Sequence, residues 1–186
     1  MINDADINGV RLSFETSKTV FSPHGIDKGT RALLTAAVLL PDDKVLDLGC
    51  GYGAVGIYAA KRLGESRVVM SDIDPECTAL SAVNARINQV GGVSIILSDG
   101  FTHIQDRDFT VILSNPPYHA DFSVPKRFIE KGFNRLKIGG KMMMVAKRRK
   151  WYQNKLSAVF GGVRVSEIDG YFVFTAEKRK NAYAGK

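Results

Sequence analysis

Two short stretches of this sequence hold residue types and spacings that could do chemistry. In Asp47-Leu48-Gly49-Cys50-Gly51-Tyr52-Gly53, three glycines alternate with other residues at the end of an apolar run. Glycine tolerates positive φ and lets a ligand lie against bare backbone, and three at alternate positions exceed what a tight turn needs. Asp47 precedes the first glycine by two residues. A carboxylate there would suit the ammonium group of an amino-acid-bearing ligand and would repel a pyrophosphate. The second stretch is Asn115-Pro116-Pro117-Tyr118. An exocyclic amine or amide nitrogen is a poor nucleophile because its lone pair is delocalised. Two acceptors on its N–H groups, the Asn115 side-chain oxygen and the Pro116 carbonyl, would steer it toward tetrahedral geometry. They would also stabilise the positive charge that grows as the nitrogen attacks an electrophile. The two prolines stiffen the loop in advance, and Tyr118 offers a π face to a flat base or amide. No strong general base is needed, and the sequence shows none.

The elements that must position these residues follow from the apolar runs. Val45–Leu48, Val68–Met70, Ser94–Leu97, Val111–Leu113 and Lys141–Ala146 read as strands. Helical patterns fall at Ala54–Leu63, from Pro75 to Val90, at Pro125–Leu136 and at Trp151–Phe160. Strands alternating with helices mean βαβ units and a mostly parallel sheet, and runs without polar alternation suit a sheet covered on both faces. Asp169-Gly170 joins Val163–Ile168 to Tyr171–Ala176 and signals a hairpin, so the seven-stranded sheet should close with an antiparallel edge. Gly139-Gly140 reads as the turn into Lys141–Ala146, and Asn8-Gly9 predicts a separate N-terminal hairpin. An apolar helix after Thr30 is expected to run through Leu40 and stop at Pro41. The expected fold is α/β and Rossmann-like, in one domain over 1–186. Residues 1–30 would supply the hairpin and a covering segment, and 178–186 a frayed basic tail. In open parallel sheets ligands bind beyond the carboxyl ends of the strands, where both chemical stretches fall.

Composition bounds the rest. With 186 residues, 45% hydrophobic and 24% charged, the chain reads as globular, which excludes disordered and fibrous classes. Its longest uncharged stretch, Leu48 to Ala60, has 13 residues and contains four glycines, too short and too broken for a spanning helix. Met1-Ile2-Asn3-Asp4 lacks the basic and apolar regions of a signal peptide, so a cytoplasmic protein is expected, without membrane contact. Two cysteines, Cys50 and Cys77, make neither a disulfide framework nor a zinc site, and no metal is expected. The net charge of +7 conceals an asymmetry. Residues 1–125 hold 10 basic and 15 acidic side chains, whereas 126–186 hold 16 basic and 4 acidic. Such a basic third suggests an anionic partner, nucleic acid being the commonest.

On the glycines alone, two ligands compete. Gly49, Gly51 and Ala54 also satisfy the dinucleotide pattern, with Asp72 at a suitable distance for a ribose hydroxyl, so an NAD-binding oxidoreductase stays open. With Asp47 and the Asn115 motif included, the chain resembles the class I S-adenosylmethionine-dependent methyltransferases. The segment Phe21-Ser22 with Gly25, Asp27, Lys28, Gly29 and Thr30, and the form Asn115-Pro116-Pro117-Tyr118-His119, resemble the small-domain members typified by the ribosomal small-subunit guanine-N2 enzymes. The resemblance implies that Asp47, Gly49, Gly51 and Gly53 hold S-adenosylmethionine. It also implies that Asp72, with Ile73, meets the ribose and that Asp99, with Gly100, lies near adenine N6. Phe21 with Lys28, Gly29 and Thr30 resembles the family's segment that closes over the cofactor, and His119 the histidine that follows the aromatic residue, here placed with the substrate. Asn115, Pro116, Pro117 and Tyr118 would then be the catalytic loop, with Asn115 also touching the cofactor.

The activity so implied is N-methylation of an exocyclic amine in RNA, first of all guanine N2 of ribosomal RNA. A protein glutamine amide, DNA adenine N6, or a non-catalytic RNA-binding role are the alternatives. Lys147-Arg148-Arg149-Lys150, on the same rim as Asn115 if Lys141–Ala146 is parallel, is read as a phosphate-binding cluster. Met142, Met143 and Met144 read as strand core, Cys50 as a small buried residue, and Trp151 and Tyr152 as packing. His24 and His103 read as structural or exposed. Oligomeric state is left open, between monomer and homodimer.

Overall fold

Nine strands, five α-helices and one short 3-10 helix (Glu65–Arg67) follow one another along the chain in a computed structural model that describes residues 2–17, 25–117 and 121–184. Phe21, His24, Tyr118 and His119 lie outside the described residues. β1 (Ile2–Ile7) and β2 (Val10–Glu15) form a separate antiparallel hairpin. Then come α1 (Lys28–Ala36), β3 (Val45–Leu48), α2 (Ala54–Leu63), β4 (Val68–Asp72), α3 (Pro75–Ile87) and β5 (Ser94–Leu97). β6 (Phe109–Ser114), α4 (Ser123–Arg135), β7 (Leu136–Ala146), α5 (Arg149–Phe160), β8 (Arg164–Ile168) and β9 (Tyr171–Glu177) complete it. The main sheet has the order β5-β4-β3-β6-β7-β9-β8, parallel from β5 to β7 and antiparallel at β9 and β8. The chain steps outward from β3 to β5, then returns to β6 on the other side of β3. That reversal sets the Asp47 loop beside the Asn115 loop, at the switch point where such sheets take ligands.

Both faces of the sheet are covered. Val45, Val111 and Met143 pack into one cluster with α1, α2 and α3, while their neighbours Leu46, Ile112, Met142 and Met144 pack into another with α4 and α5. Both hairpins turn as their dipeptides require. Asn8 and Gly9 have φ of 51° and 79°, Asp169 and Gly170 50° and 77°, the paired positive values of a type I′ turn. The outer edge of β2 is closed by side chains. Asn88 Oδ1 accepts from Ser13 N at 3.0 Å and Asn84 Oδ1 from Glu15 N at 2.7 Å. Each amide also donates back to the carbonyl of the same residue. Asn84 of α3 and Asn88, which caps the C-terminus of α3, thus stand in for a partner strand.

Three expectations are corrected. The first helix ends at Ala36 rather than Leu40, because Asp43 Oδ2 draws the Leu40 N–H into a loop at 2.6 Å. Gly139-Gly140 is no turn before the strand but lies inside β7, where the pairing with β6 slips between Phe109 and Val111. A Cβ on Gly140 would stand 2.9 Å from the Phe109 carbonyl, so the bulge requires glycine there. The end of the chain is not frayed over 178–184. Lys178 Nζ donates to the Leu136 carbonyl at 2.8 Å, Tyr183 Oη donates to the Glu130 carbonyl at 2.9 Å, and the Tyr183 ring stands edge-on to Phe133.

Candidate functional site

A cleft of about 370 Å³ opens beyond the carboxyl ends of β3, β4, β5 and β6. Asp47, third residue of β3, is 1% exposed on its wall, and its Oδ2 accepts from Gly56 N at 2.7 Å. That bond needs the first turn of α2 to lie very near β3 and β4. A Cβ on Gly56 would meet Met70 Cγ at 2.3 Å, so only glycine fits. Burial pushes the Asp47 carboxyl up to about 7; the Asp72 charge adds to the rise and the Gly56 N–H opposes it. Asp72, half-buried at the end of β4, accepts from Gly51 N at 2.8 Å and from Asp74 N at 3.0 Å, and so holds the glycine loop in place.

Of the residues expected to meet a cofactor, Thr30, Asp47, Gly49, Gly51, Asp72, Ile73, Asp99, Gly100 and Asn115 line the cleft. Gly53 instead starts α2 with φ of 97°, and Lys28 and Gly29 form the first turn of α1 outside the cleft lining. Asp99 faces a cation that sequence reasoning missed. Arg127 of α4 grips both its oxygens, at 3.0 and 3.2 Å. Phe128, also missed, lies beside the glycine loop, 3.6 Å from where a Cβ on Gly49 would stand, an ordinary contact; the φ of 77° at Gly49 is what favours glycine there. The two cysteines are buried on the wall, Cys50 with its thiol 3.6 Å from Ser81 Oγ.

Asn115, Pro116 and Pro117 follow β6 and line the cleft. Asn115 Nδ2 donates to Thr30 Oγ1 at 2.9 Å and, at the outer limit of a hydrogen bond, to the Asp27 carboxylate at 3.3 and 3.4 Å. Asp27 is itself fixed as the N-cap of α1, accepting from Gly29 N and Thr30 N at 2.8 and 3.1 Å. An ionised carboxylate only accepts. It therefore sets which way the amide of Asn115 points, NH2 toward Asp27 and oxygen away from it. That oxygen, Oδ1, is buried and has no hydrogen-bond partner among the described residues.

The basic run lies on the same rim. Ser114 pairs with Met144, so Lys147, just past β7, follows in the direction of Pro117. Lys147, Arg148 and Arg149 sit over the rings of Tyr171, Phe122 and Phe172 at 5.2, 5.4 and 5.8 Å. None of 147–150 is in an ion pair among the described residues. Trp151 stacks on Phe122 at 4.3 Å and Tyr152 is buried, so both pack as expected, and His103 is exposed. No group of three or more His, Cys, Asp or Glu among the described residues could hold a metal ion, and no described helix is long and apolar enough to cross a membrane.

The methyltransferase small domain pattern matches residues 11–175, which include every element of this cleft. The chain belongs to the methyltransferase small domain family. Within that family it is 34% identical over 164 residues to a ribosomal RNA small subunit methyltransferase C of Pseudomonas putida, covering 86% of this chain and 49% of that one. It is 31% identical over 174 residues to an uncharacterized protein of Bacillus subtilis, YbxB, covering 90% and 86%. The Thermus thermophilus 16S rRNA N2-guanine methyltransferase, solved with S-adenosylmethionine and guanosine, superposes with a TM-score of 0.86 at 26% identity over 96% of this chain and 50% of that one. The chain thus spans about half the length of the Pseudomonas putida and Thermus thermophilus methyltransferases.

Proposed function

We propose that this chain is an S-adenosylmethionine-dependent N-methyltransferase that acts on an exocyclic amine in RNA, namely guanine N2 of ribosomal RNA. The observation that carries this reading is Asn115 Oδ1, a buried acceptor on the cleft wall with no described partner and with its direction fixed by Asp27 and Thr30. Buried polar atoms are normally satisfied, and an N–H of the target amine would satisfy this one. The relatives matched above, with guanosine bound in one, support the choice of amine.

The residues present fit the cofactor. Asp47, buried and without a cationic partner among the described ion pairs, suits an ammonium group; Asp72 suits a diol; Ile73, Asp99 and Gly100 offer an apolar face and an acceptor to adenine. Two carboxylates would repel the pyrophosphate of a dinucleotide. When bound, the cofactor supplies a methyl group already activated by a sulfonium. The protein's task is then positioning. Asn115 Oδ1 and the Pro116 carbonyl would accept from the two amine hydrogens, draw the lone pair out of conjugation, and share the charge that develops on nitrogen. The proton lost afterwards leaves to solvent, since neither acceptor is a base. The cations at 147–150 would hold backbone phosphates beside the site.

Calorimetry tests the cofactor: S-adenosylmethionine and S-adenosylhomocysteine should bind and NAD should not, and the reverse preference would sink the proposal. The orientation of Asn115 has its own test. Asp27→Asn keeps a good helix cap but replaces an obligate acceptor with a group that either donates or accepts. It should lower kcat by roughly 10- to 100-fold, the size of a hydrogen bond to a charged group, with cofactor affinity and melting temperature nearly unchanged. An unaltered kcat would remove Asp27 from the account.

A further inference from the structure

A second depression, about 720 Å³, shares Asp99, Gly100, Arg127 and Phe128 with the cleft and leads away from it along α4. Its far walls carry Arg107, Lys131, Asn134, Arg135, Lys178 and Asn181. Asp99 is the one acidic residue in its lining, and Arg127 already neutralises it. The other four cations are in no ion pair among the described residues. Two of them are held by neutral groups. Arg135 donates to the Asp106 carbonyl at 2.9 Å and lies over the Phe101 ring; buried Lys178 donates to the Leu136 carbonyl at 2.8 Å and lies over Phe133. Asp106 and Asp108, outside the groove lining, offset part of the charge of Arg135 and Lys178, but Arg107 and Lys131 are in no ion pair among the described residues, so the lining keeps a net positive charge for a ligand. Arg127, Lys131 and Arg135 recur every four residues on α4, which at the α-helical rise sets them about 6 Å apart along one stripe. That is a ladder of cations for a chain of regularly spaced anions, not a pocket for a single one.

We propose that this groove binds the phosphodiester backbone of a single RNA strand and leads it from the amino ends of β6 and β7 up α4 to the rim of the cleft. The choice of RNA over another polyanion rests on the proposed function. The groove is separate from the 147–150 cluster and shares no lining residue with it. Together the two places hold eight of the 16 cations in residues 126–186: four on the rim beyond β7, and Arg127, Lys131, Arg135 and Lys178 in the groove.

The test measures binding of a fluorescein-labelled oligouridylate by anisotropy across a salt series. Arg107→Glu/Lys131→Glu alters two exposed groove residues, and Arg62→Glu/Arg86→Glu makes the same charge change on the opposite face of the sheet. Melting temperatures confirm that both variants fold. The groove pair should weaken binding at least about tenfold and flatten the salt slope by about 1.4, two single-strand phosphate contacts. The opposite-face pair should change affinity by less than about threefold. Equal losses in the two pairs would mean net charge alone is at work and would overturn the proposal. So would poly-glutamate binding as tightly as the oligonucleotide, which points to an acidic protein partner. Calorimetry with S-adenosylmethionine on the same wild-type sample separates the two readings. If the cofactor fails to bind, the proposed activity falls while the binding result stands.

Discussion

Asp47→Asn should make the free protein more stable and leave it unable to hold its cofactor. The Asp47 carboxyl titrates at about 7 in the folded chain against 3.8 in the unfolded one. Between those values the folded state binds the extra proton, so stability falls as pH rises from about 4 to about 7, and the penalty is complete above 7. The difference corresponds to roughly 4 kcal/mol, an upper limit for a site that can relax. The amide of the variant keeps an oxygen for Gly56 N–H, at present 2.7 Å from the carboxylate, and carries no charge to bury. A gain of about 1–2 kcal/mol should raise Tm by roughly 3–6 °C at pH 8 and by little at pH 4. Over the same range wild-type affinity for S-adenosylmethionine should fall about tenfold per pH unit below 7, as Asp47 takes up its proton, while the variant binds weakly at every pH. A variant less stable at pH 8, or cofactor affinity flat from pH 5.5 to 8, would contradict the assignment of Asp47 to a cation.

Asn115→Ala should do the opposite, sparing the cofactor and stopping transfer. It removes the acceptor aimed at the target nitrogen, and loss of one preorganised group of this kind costs about 10²–10³ in kcat. The fold should tolerate the change. Asp27 keeps its bonds to Gly29 N and Thr30 N, and the lost contact to Thr30 Oγ1 is worth about 1 kcal/mol. S-adenosylmethionine affinity, measured by calorimetry, should stay within about threefold of wild type. A fall in affinity that matches the fall in kcat would make Asn115 a cofactor residue only.

What the sequence disclosed is what local physics encodes. Asn8-Gly9 and Asp169-Gly170 signal hairpins and the chain turns at both, and the alternating glycines after Asp47 mark a loop that lines the cleft. The Met142–Met144 run could only be buried, since it had no polar alternation. What it concealed depends on contacts across the chain. Nothing near residue 27 signals that the Asp27 carboxylate orients an amide 88 positions later. Nothing local distinguishes Arg127 and Lys131 from the other cations of the basic third. Only the fold sets them against Asp99, Arg107 and Lys178 to make a groove. The bulge at Gly140 was hidden for a similar reason: a Gly-Gly pair serves a turn or a close backbone approach equally well, and the neighbouring strand decides.

The central claim is that the cleft places an exocyclic amine of RNA on Asn115 Oδ1 for methylation. Its most direct test is transfer of labelled methyl from S-adenosylmethionine to ribosomal RNA lacking its natural methylation, followed by digestion and nucleoside analysis. The account expects the label in N2-methylguanosine with wild type and none above background with Asn115→Ala. Label on a ribose hydroxyl or a ring carbon, or equal label with the two proteins, would contradict it.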